Sequence, residues 1–412
     1  MAETSRIMTV DELLRDAGDL MAPAGPLAKG AVSSIEYDSR RAGRDSLFVA
    51  IEGFQSDGHR YVREVVQKGA KGVVVARKRL AEFQDLSGQG VMVLSSDNPR
   101  RALSRLSAAF YRRPSSRVMA VGITGTNGKT SITYMLEAIC RKAGREPGVI
   151  GTVNYRWRGQ EMPSPNTTPE SRDLQELMNR MVEDGVEVII MEVSSHGLEL
   201  GRADDIDFDV ALFTNLTRDH LDFHHDFESY YQAKKRLFAL IGAGSKPGRA
   251  ALVNIDDSYG RRLVEERGEF ACPLYTFGIE GEADYRPLPG SVRSSLEGIS
   301  YSLERGVPGM EIRLALAGGF NVYNSLSAVA AAHRLGMSQE AIAAGLREMQ
   351  TVPGRFDRIL SEEGFYVIVD YAHTDDALLK LLKSVRDLAP HRVITLFGCG
   401  GDRDRSKRPV MG

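Results

Sequence analysis

Short apolar runs alternate with amphipathic stretches along most of the chain, and this pattern predicts the α/β fold class. The apolar runs with the length of buried strands lie at residues 118–123, 186–192, 210–214 and 250–254. Helical patterns separate them at residues 130–143, 171–184 and 227–241. Because strands that alternate with helices form a mostly parallel sheet with helices on both faces, residues 116–352 are predicted to be a central domain of this kind.

Two further regions flank the predicted central domain. Residues 1–115 alternate short strands with helices, and their first helix opens with Thr9 and Glu12 at capping-box spacing. Residues 353–412 show a strand, a helix and a second strand at 392–398, which predicts one βαβ unit. These 60 residues are too few for a complete open α/β domain, so we expect an incomplete, Rossmann-like C-terminal domain.

Composition and charge narrow the class of protein. The chain has 412 residues and a formal net charge of −2, which argues against a general binder of nucleic acid. Its three cysteines are far apart and match neither a zinc site nor a disulfide framework, so a cytoplasmic location is expected. The first residues lack a signal-peptide pattern, and no apolar run approaches the length that spans a membrane.

The segment VMAVGITGTNGKT, residues 118–130, carries the strongest chemical signal. An apolar strand is followed by a loop of small residues, then by Lys129 and Thr130 at the start of a helical pattern. Such a loop binds phosphate oxygens with its backbone amides, while the lysine reaches the terminal phosphates and the threonine hydroxyl ligates Mg²⁺. The glycine spacing departs from G-x-x-x-x-G-K-[ST], because Ile123 stands where the first glycine should be. The alternative is a glycine-rich turn with a surface lysine.

Polar residues follow two other predicted strands. Glu192 lies at a strand end, where it could hold Mg²⁺ or be a solvated terminus. Asp219, His220 and Asp222 cluster after the next strand and favour metal or phosphate binding over a structural role. Lys234 adjoins further basic residues, which by itself indicates a solvated helix face. The polar loop 166–171 suits either substrate binding or an ordinary helix cap.

Taken together and in order, these signatures resemble the Mur ligase family, in particular the branch that adds the third residue of the peptidoglycan stem peptide. The strings that carry the resemblance are TGTNGKT, NTTP, MEVSSHGLELGR, TNLTRDHLDFH, AKKRLF, GGFNVYN, GRFDR, DYAHT and GCGGDRDRSKRP. They cover nearly the whole chain from Ser34 onward. The resemblance implies a three-domain architecture, with residues 1–115 binding UDP, 116–352 binding ATP and 353–412 binding the amino acid.

The resemblance also implies a reaction. ATP would phosphorylate a carboxylate of UDP-N-acetylmuramoyl-L-alanyl-D-glutamate, and a free amino acid would then attack the acyl phosphate to form an amide. Lys129 matches the catalytic lysine of the phosphate loop, and Thr130, Glu192 and His220 match metal-site positions. Lys234 matches a lysine that is carbamylated in these enzymes and so becomes an anion that binds Mg²⁺. A monomer with no membrane insertion is expected.

Other positions are matched to ligands by the same resemblance. Those matched to ATP are Gly125, Thr126, Asn127, Gly128, Asn321, Asn324, Arg355, Asp370 and His373. Those matched to the UDP substrate are Tyr37, Ser39, Phe54, Gln55, Asn166, Thr167, Thr168, Ser194 and Arg202. Arg403 matches a contact to the incoming amino acid, whose identity the sequence leaves open between diaminopimelate, lysine and others.

One departure bears on specificity. Members that add diaminopimelate carry a DNPR motif downstream of GCGGDRD, whereas the DNPR string of this chain is at residues 97–100, which we interpret as coincidence. Two alternatives remain open at this point. One is another phosphotransferase with a phosphate loop, and the other is a non-catalytic chain that binds the UDP substrate and nucleotide.

Overall fold

A computed structural model describes residues 7–53, 56–388, 391–399 and 407–412. The contacts within the chain define two compact units. The first comprises Met1–Arg117, Thr168–Glu183 and Gly197–Ile206, and the second comprises Val118–Thr167, Asp184–His196 and Asp207–Gly412. The three domain ranges expected from the sequence stay a prediction.

The strands of the described residues are β1 (Met8–Thr9), β2 (Ala22–Pro23), β3 (Ala31–Val32), β4 (Ser34–Glu36), β5 (Ser46–Val49), β6 (Gly72–Ala76), β7 (Met92–Ser96), β8 (Met119–Thr124), β9 (Pro147–Ile150), β10 (Asn154–Trp157), β11 (Gln160–Pro163), β12 (Val188–Glu192), β13 (Val210–Phe213), β14 (Ala250–Asn254), β15 (Leu274–Phe277), β16 (Arg286–Pro287), β17 (Arg293–Ser295), β18 (Gly298–Arg305), β19 (Glu311–Leu314), β20 (Asp357–Leu360) and β21 (Tyr366–Val369).

The α-helices of the same residues are α1 (Val10–Ala17), α2 (Val62–Gln67), α3 (Pro99–Phe110), α4 (Lys129–Lys142), α5 (Ser171–Glu183), α6 (Ser195–Glu199), α7 (Leu221–His224), α8 (Phe227–Ala243), α9 (Ser258–Glu265), α10 (Phe320–Arg334), α11 (Gln339–Glu348), α12 (Asp375–Leu388) and α13 (Lys407–Met411). Short 3₁₀ helices lie at Gly58–Tyr61, Arg77–Glu82, Gln84–Gln89, Pro114–Arg117 and Arg267–Glu269.

The first unit contains a five-stranded sheet in the order β2-β7-β6-β5-β4. Strands β4 to β7 are parallel, and β2 pairs antiparallel with β7. Successive side chains of a strand point to opposite faces, and here Val74 joins one buried cluster while Val73 and Val75 join another. The expected capping box is confirmed, since the Thr9 side chain accepts from the Glu12 amide and the Glu12 carboxylate accepts from the Thr9 amide.

The second unit contains an eight-stranded sheet in the order β11-β10-β9-β12-β8-β13-β14-β15. The strands from β9 to β15 along this order are parallel, as the alternating pattern predicts. Val121 and Ile123 of β8 belong to the core cluster shared with α4 and α10, whereas Gly122 faces Phe208 and Leu237 of the opposite side. Helices therefore cover both faces, and the predicted α/β class with a central parallel sheet is confirmed.

The C-terminal residues differ from the sequence prediction in one respect. β20 and β21 form an antiparallel hairpin and α12 follows, but the described residues 391–399 form no strand. The predicted βαβ unit is therefore wrong in its second strand. Ile394 and Leu396 are 78% and 98% exposed. A strand requires a hydrogen-bonded neighbour, and an apolar run that finds none remains unpaired whatever its local propensity.

None of the helices in the described ranges is both long and apolar enough to cross a membrane. Cys140 is buried, and it, Cys272 and Cys399 all carry free thiols.

Candidate active site

The phosphate loop connects β8 to α4, at the position that the sequence predicts. Gly125 and Gly128 have φ angles of +139° and +93°, in the region that favours glycine. A Cβ at Gly125 would lie 1.8 Å from Thr214 Oγ1, and one at Gly128 would lie 2.4 Å from Asn324 Oδ1. Both glycines are thus required by conformation and by space, although their spacing departs from the generic motif.

The segment after β13 holds this loop in place. The amide of Thr126 donates to the Asn215 carbonyl oxygen at 2.8 Å, and the amide of Asn127 donates to Asn215 Oδ1 at 3.0 Å. Thr214 Oγ1 donates to the Asn127 carbonyl oxygen at 2.7 Å. These contacts fix the backbone of the loop. A helix gives the first amides of α4 no acceptor of its own, so they can donate to a phosphate.

Lys129 opens α4 and folds back over the loop. Its Nζ donates to the carbonyl oxygens of Gly125 and Thr126, both at 2.9 Å. The side chain keeps part of its surface open to solvent, yet the protein around its ammonium group lowers its pKa, chiefly through burial. Among the described residues its hydrogen-bond partners are carbonyl oxygens, while the carboxylates of Glu192 and Asp219 act on its charge from a greater distance. The ammonium group is therefore well placed for a phosphate group.

Glu192, at the end of β12, lies beside Thr130. Its Oε1 accepts from Thr130 Oγ1 and from the Thr152 amide, both at 3.0 Å, and its Oε2 accepts from Thr152 Oγ1 at 2.9 Å. A Cβ at Gly151 would lie 2.5 Å from Glu192 Oε1, so that glycine makes room for the carboxylate. The solvated strand end considered from sequence is wrong, because Glu192 is 1% exposed.

Thr130 and Glu192 fit a magnesium ion by their chemistry. A buried hydroxyl and a buried carboxylate at hydrogen-bond distance are the ligands that Mg²⁺ takes when it also binds phosphates and water. Within the described residues no three His, Cys, Asp or Glu side chains come together to hold a metal alone. A site that shares its ion with a nucleotide does not need such a group.

Lys234, on α8, is buried, so the solvated face suggested by its neighbours is wrong. It is 2% exposed, its Nζ donates to the Gly125 carbonyl oxygen at 2.9 Å, and it lies 4.5 Å from the centre of the Tyr230 ring. Burial holds its pKa well below the usual value, and the nearby Lys129 lowers it further. Lys234 and Lys129 therefore both donate to Gly125.

His220 precedes α7 in a left-handed conformation, with a φ of +53°. Its ring centre lies 4.8 Å from that of His196 and 6.2 Å from that of Tyr230, whose hydroxyl is 3.1 Å from Thr126 Oγ1. Burial lowers the pKa of His220 below its usual value, which favours the neutral ring that can be a ligand. Asp219 accepts from the His220 amide, whereas Asp222 is exposed.

Some of the residues matched to ATP lie at the phosphate loop, and others do not. Asn324 Nδ2 donates to Asn321 Oδ1 at 2.8 Å, and its own Oδ1 packs on Gly128. Arg355 donates to Thr130 Oγ1 at 3.3 Å. Asp370 instead accepts from the amides of residues 356 and 372, which fixes the chain around β21, and His373 is exposed.

The residues matched to the UDP substrate are divided between the units. Tyr37, Ser39, Thr168 and Arg202 belong to the first unit, while Asn166, Thr167 and Ser194 belong to the second. Tyr37 donates its hydroxyl to Asp173 Oδ2 at 2.6 Å, and Thr167 Oγ1 lies 3.0 Å from Thr152 Oγ1. Phe54, Gln55 and Arg403 lie outside the described residues.

Comparison with known proteins identifies the family. Residues 31–111 match the Mur ligase family catalytic domain, residues 123–332 the Mur ligase middle domain, and residues 354–412 the Mur ligase glutamate ligase domain. The chain belongs to the Mur ligase family. The expected three-domain Mur architecture is thereby confirmed as a fold assignment, independently of where the domain boundaries lie.

Individual Mur ligases are similar over nearly the whole chain. The UDP-N-acetylmuramoyl-L-alanyl-D-glutamate--2,6-diaminopimelate ligase of Geobacter sulfurreducens is 44% identical over 406 residues, which are 98% of this chain and 77% of that protein. The ligase of the same name from Solibacter usitatus is 42% identical over 98% of this chain and 79% of its own length.

Solved structures of Mur ligases are also similar to this chain. A structure of UDP-N-acetylmuramoyl-L-alanyl-D-glutamate--2,6-diaminopimelate ligase aligns with a TM-score of 0.73 and 27% identity, covering 93% of this chain and 76% of the other. MurF from Acinetobacter baumannii aligns with a TM-score of 0.64 at 22% identity, covering 92% of this chain and 76% of the other, which shows the shared fold.

Sequence reasoning did not single out Thr152, Asn215 and Tyr230. Asn215 lies inside the TNLT string, one residue beyond the end of a predicted strand, and that strand-end position was the available signal. Thr152 also follows a strand, β9, but nothing in its local sequence indicates the carboxylate that it contacts.

Proposed function

We propose that this chain is an ATP-dependent amide ligase that joins 2,6-diaminopimelate to UDP-N-acetylmuramoyl-L-alanyl-D-glutamate. The observation that carries the proposal is the phosphate loop, in which two lysines donate to Gly125 and a buried carboxylate accepts from Thr130. The names of the relatives supply the substrate and the amino acid. A cytoplasmic monomer is expected.

Phosphoryl transfer is the first proposed step. An oxygen of the glutamyl carboxylate attacks the γ-phosphorus of ATP, the bond to the β-γ bridging oxygen breaks, and ADP leaves with its electron pair. Such transfer needs positioned positive charge more than covalent help. Lys129 supplies that charge by exchanging its carbonyl partners for phosphate oxygens, and the first turn of α4 adds amide donors.

Amide formation follows. The amine of the amino acid attacks the carbonyl carbon of the acyl phosphate, inorganic phosphate leaves, and the amine loses a proton to solvent or base. Arg355 donates to Thr130 Oγ1, so it lies beside the nucleotide end of the phosphate loop and can bind phosphate oxygens there. Arginine is suited to this because its planar fork donates to two oxygens at once.

Mg²⁺ is proposed to be held by Thr130 and Glu192, where it would neutralise phosphate charge when bound. The three hydrogen bonds on Glu192 orient its carboxylate toward Thr130 in advance, so the ligand set is formed by the protein itself.

Lys234 is proposed to carry a carbamate. Burial and the neighbouring Lys129 favour the neutral amine, which is the form that attacks CO₂. The amine nitrogen forms a bond to the carbon of CO₂, one C=O π bond opens to a carboxylate, one proton leaves, and the neutral side chain becomes an anion. The anion would attract the neighbouring Lys129 and would be available for metal binding together with His220.

Product analysis tests the proposal. With ATP, the UDP-linked dipeptide and diaminopimelate, equal amounts of ADP, phosphate and an amide-linked tripeptide product are expected by mass spectrometry. Replacement of diaminopimelate by lysine should leave little product. ADP formation without an amide would contradict the ligase assignment, and equal use of lysine would contradict the choice of amino acid.

A further inference from the structure

The first unit contains an ionic group that the proposed chemistry does not use. The side chain of Glu170 is 9% exposed, and its Oε2 accepts from Arg100 Nη1 at 2.8 Å. The same oxygen lies 3.4 Å from Nε of Arg202, the residue matched to the UDP substrate. One carboxylate oxygen thus faces two guanidinium groups.

Arg100 is fixed from both ends. Its second nitrogen donates to the Glu52 carbonyl oxygen at 3.0 Å, and its backbone lies in the first turn of α3 after the cap Asn98 and Pro99. A cation in the first turn opposes the helix dipole. Its position is therefore explained by the carboxylate of Glu170, and the DNPR string of residues 97–100 encodes a helix start with this contact.

Arg202 is held less completely. Its Nη1 donates to the Thr168 carbonyl oxygen at 3.0 Å, while its Nε is buried and has no hydrogen-bond partner among the described residues. Glu170 is near enough to attract Arg202 electrostatically, but its hydrogen bond is to Arg100. The guanidinium of Arg202 is thus oriented and keeps donors for another carboxylate.

We propose that Glu170 and Arg100 are positioning residues for Arg202, which the family resemblance matches to the dipeptidyl end of the UDP substrate. This inference rests on the proposed function. That end carries two carboxylates, and the one that does not react needs a cationic partner. Arginine recognises a carboxylate through two parallel hydrogen bonds, which demand a fixed guanidinium plane. The Thr168 carbonyl oxygen holds Arg202 at Nη1, and the Glu170 carboxylate attracts the same guanidinium electrostatically from 3.4 Å on the Nε side. The hydrogen bond from Arg100 keeps Glu170 from turning away.

Binding and kinetic measurements on Glu170→Gln test the role. The KM and Kd for UDP-N-acetylmuramoyl-L-alanyl-D-glutamate should rise about tenfold, because a misoriented Arg202 would lose a charged hydrogen bond to the substrate carboxylate. The Kd for UDP-N-acetylmuramic acid, which lacks the dipeptide, and the KM for ATP should stay within twofold. Arg100→Met should act in the same direction, and Arg100→Lys should restore part of the affinity.

Asp205→Asn is the matched control. Asp205 is a buried carboxylate of the same unit that pairs with Arg105 of α3 at 2.5 Å. Its loss should lower the midpoint of thermal unfolding without changing either Kd. If Glu170→Gln does not fold, Arg100→Met and Arg100→Lys carry the same comparison.

Three results would overturn the inference while leaving the ligase assignment intact. They are an unchanged Kd for the dipeptide substrate, an equal loss of affinity for UDP-N-acetylmuramic acid, and an undiminished effect of Glu170→Gln in an Arg202→Met background. A wild-type chain that forms no amide but binds the dipeptide substrate would overturn the proposed function alone.

Discussion

The lysines at the phosphate loop of the second unit and two arginines of the first unit have different partners. In the second unit, Lys129 and Lys234 donate to backbone carbonyl oxygens, and no carboxylate of the described residues lies within ion-pair distance of either. In the first unit, Arg100 and Arg172 pair with the buried carboxylates of Glu170 and Glu36.

This difference in partners distinguishes cationic side chains that can bind a ligand from those that stabilise the fold. Desolvating a cation costs free energy, and a hydrogen bond to a neutral carbonyl oxygen compensates for only part of that cost. An anionic ligand such as a phosphate would therefore interact with such a cation more strongly than its present partners do. A cation that already pairs with a carboxylate stabilises the fold through that ion pair and is less available to a ligand. Removing the first kind should reduce turnover, and removing the second kind should mainly change stability or orientation.

The largest effect is expected for Lys129→Ala. Loss of the cation that faces the transferred phosphoryl group should lower kcat about 10³-fold, since preorganised charge at such sites has this effect. Affinity for the UDP substrate and the unfolding midpoint should change little. Lys246 is the paired counterpart, because its Nζ contacts Asp209 at 2.5 Å. Lys246→Ala should destabilise the fold and keep kcat, and the reverse pattern would refute the comparison.

The second-largest effect is expected for Lys234→Ala. Its kcat should fall on the order of 10²-fold, because the proposed carbamate anion is lost. Its neighbour Lys235 pairs with Glu266 and Glu269 at 2.8 and 2.7 Å and serves as the control. Lys235→Ala should retain activity. A short carboxylic acid should restore part of the turnover of Lys234→Ala but none in Lys129→Ala. Full activity of Lys234→Ala would exclude the role.

Gly128→Ala tests whether the phosphate loop needs a residue without a side chain at position 128 to bind ATP. The new Cβ would meet Asn324 Oδ1 at 2.4 Å in a left-handed backbone, so both stability and ATP affinity should fall, the former by about 1–3 kcal/mol. Gly144 has a φ of +69° with nothing within 4 Å of a Cβ. Gly144→Ala should therefore cost about 1 kcal/mol and leave the Kd for ATP unchanged. Equal Kd values in calorimetry would contradict this use of Gly128.

The smallest effect concerns pH. His224 is 3% exposed, and burial lowers its pKa from 6.5 to about 4. Because the unfolded chain binds the proton more readily, this contribution to stability is present above pH 6.5 and is lost as the pH falls toward 4, by roughly 1–3 kcal/mol.

Urea unfolding between pH 7 and pH 4 measures that loss. His224→Gln should flatten the pH dependence, whereas His225→Asn, at the exposed neighbouring position, should not. A slope that is the same in all three proteins would show that His224 is not the titrating group.

Local sequence predicted those parts of the fold whose cause is local. The strand before Gly125, the helix that begins at Lys129 and the cap at Thr9 depend on short-range periodicity and on one or two side chains. The resemblance to the family added the chemistry expected of Lys129, Thr130 and Glu192. The assignments of individual site residues to ligands stay predictions.

Tertiary structure decided what depends on distant partners. Lys234 reads as a solvated helix face in sequence and is buried because α8 packs where Gly125 supplies its acceptor. Glu170 reads as part of a helix start and contacts Arg100, 70 residues away. Conversely, residues 392–397 read as a strand but are unpaired in the structure, since β pairing needs a neighbour that local propensity cannot provide. The sequence by itself determined the family and the phosphate loop, while burial and pairing, which are properties of the whole fold, decided which charges remain free for ligands.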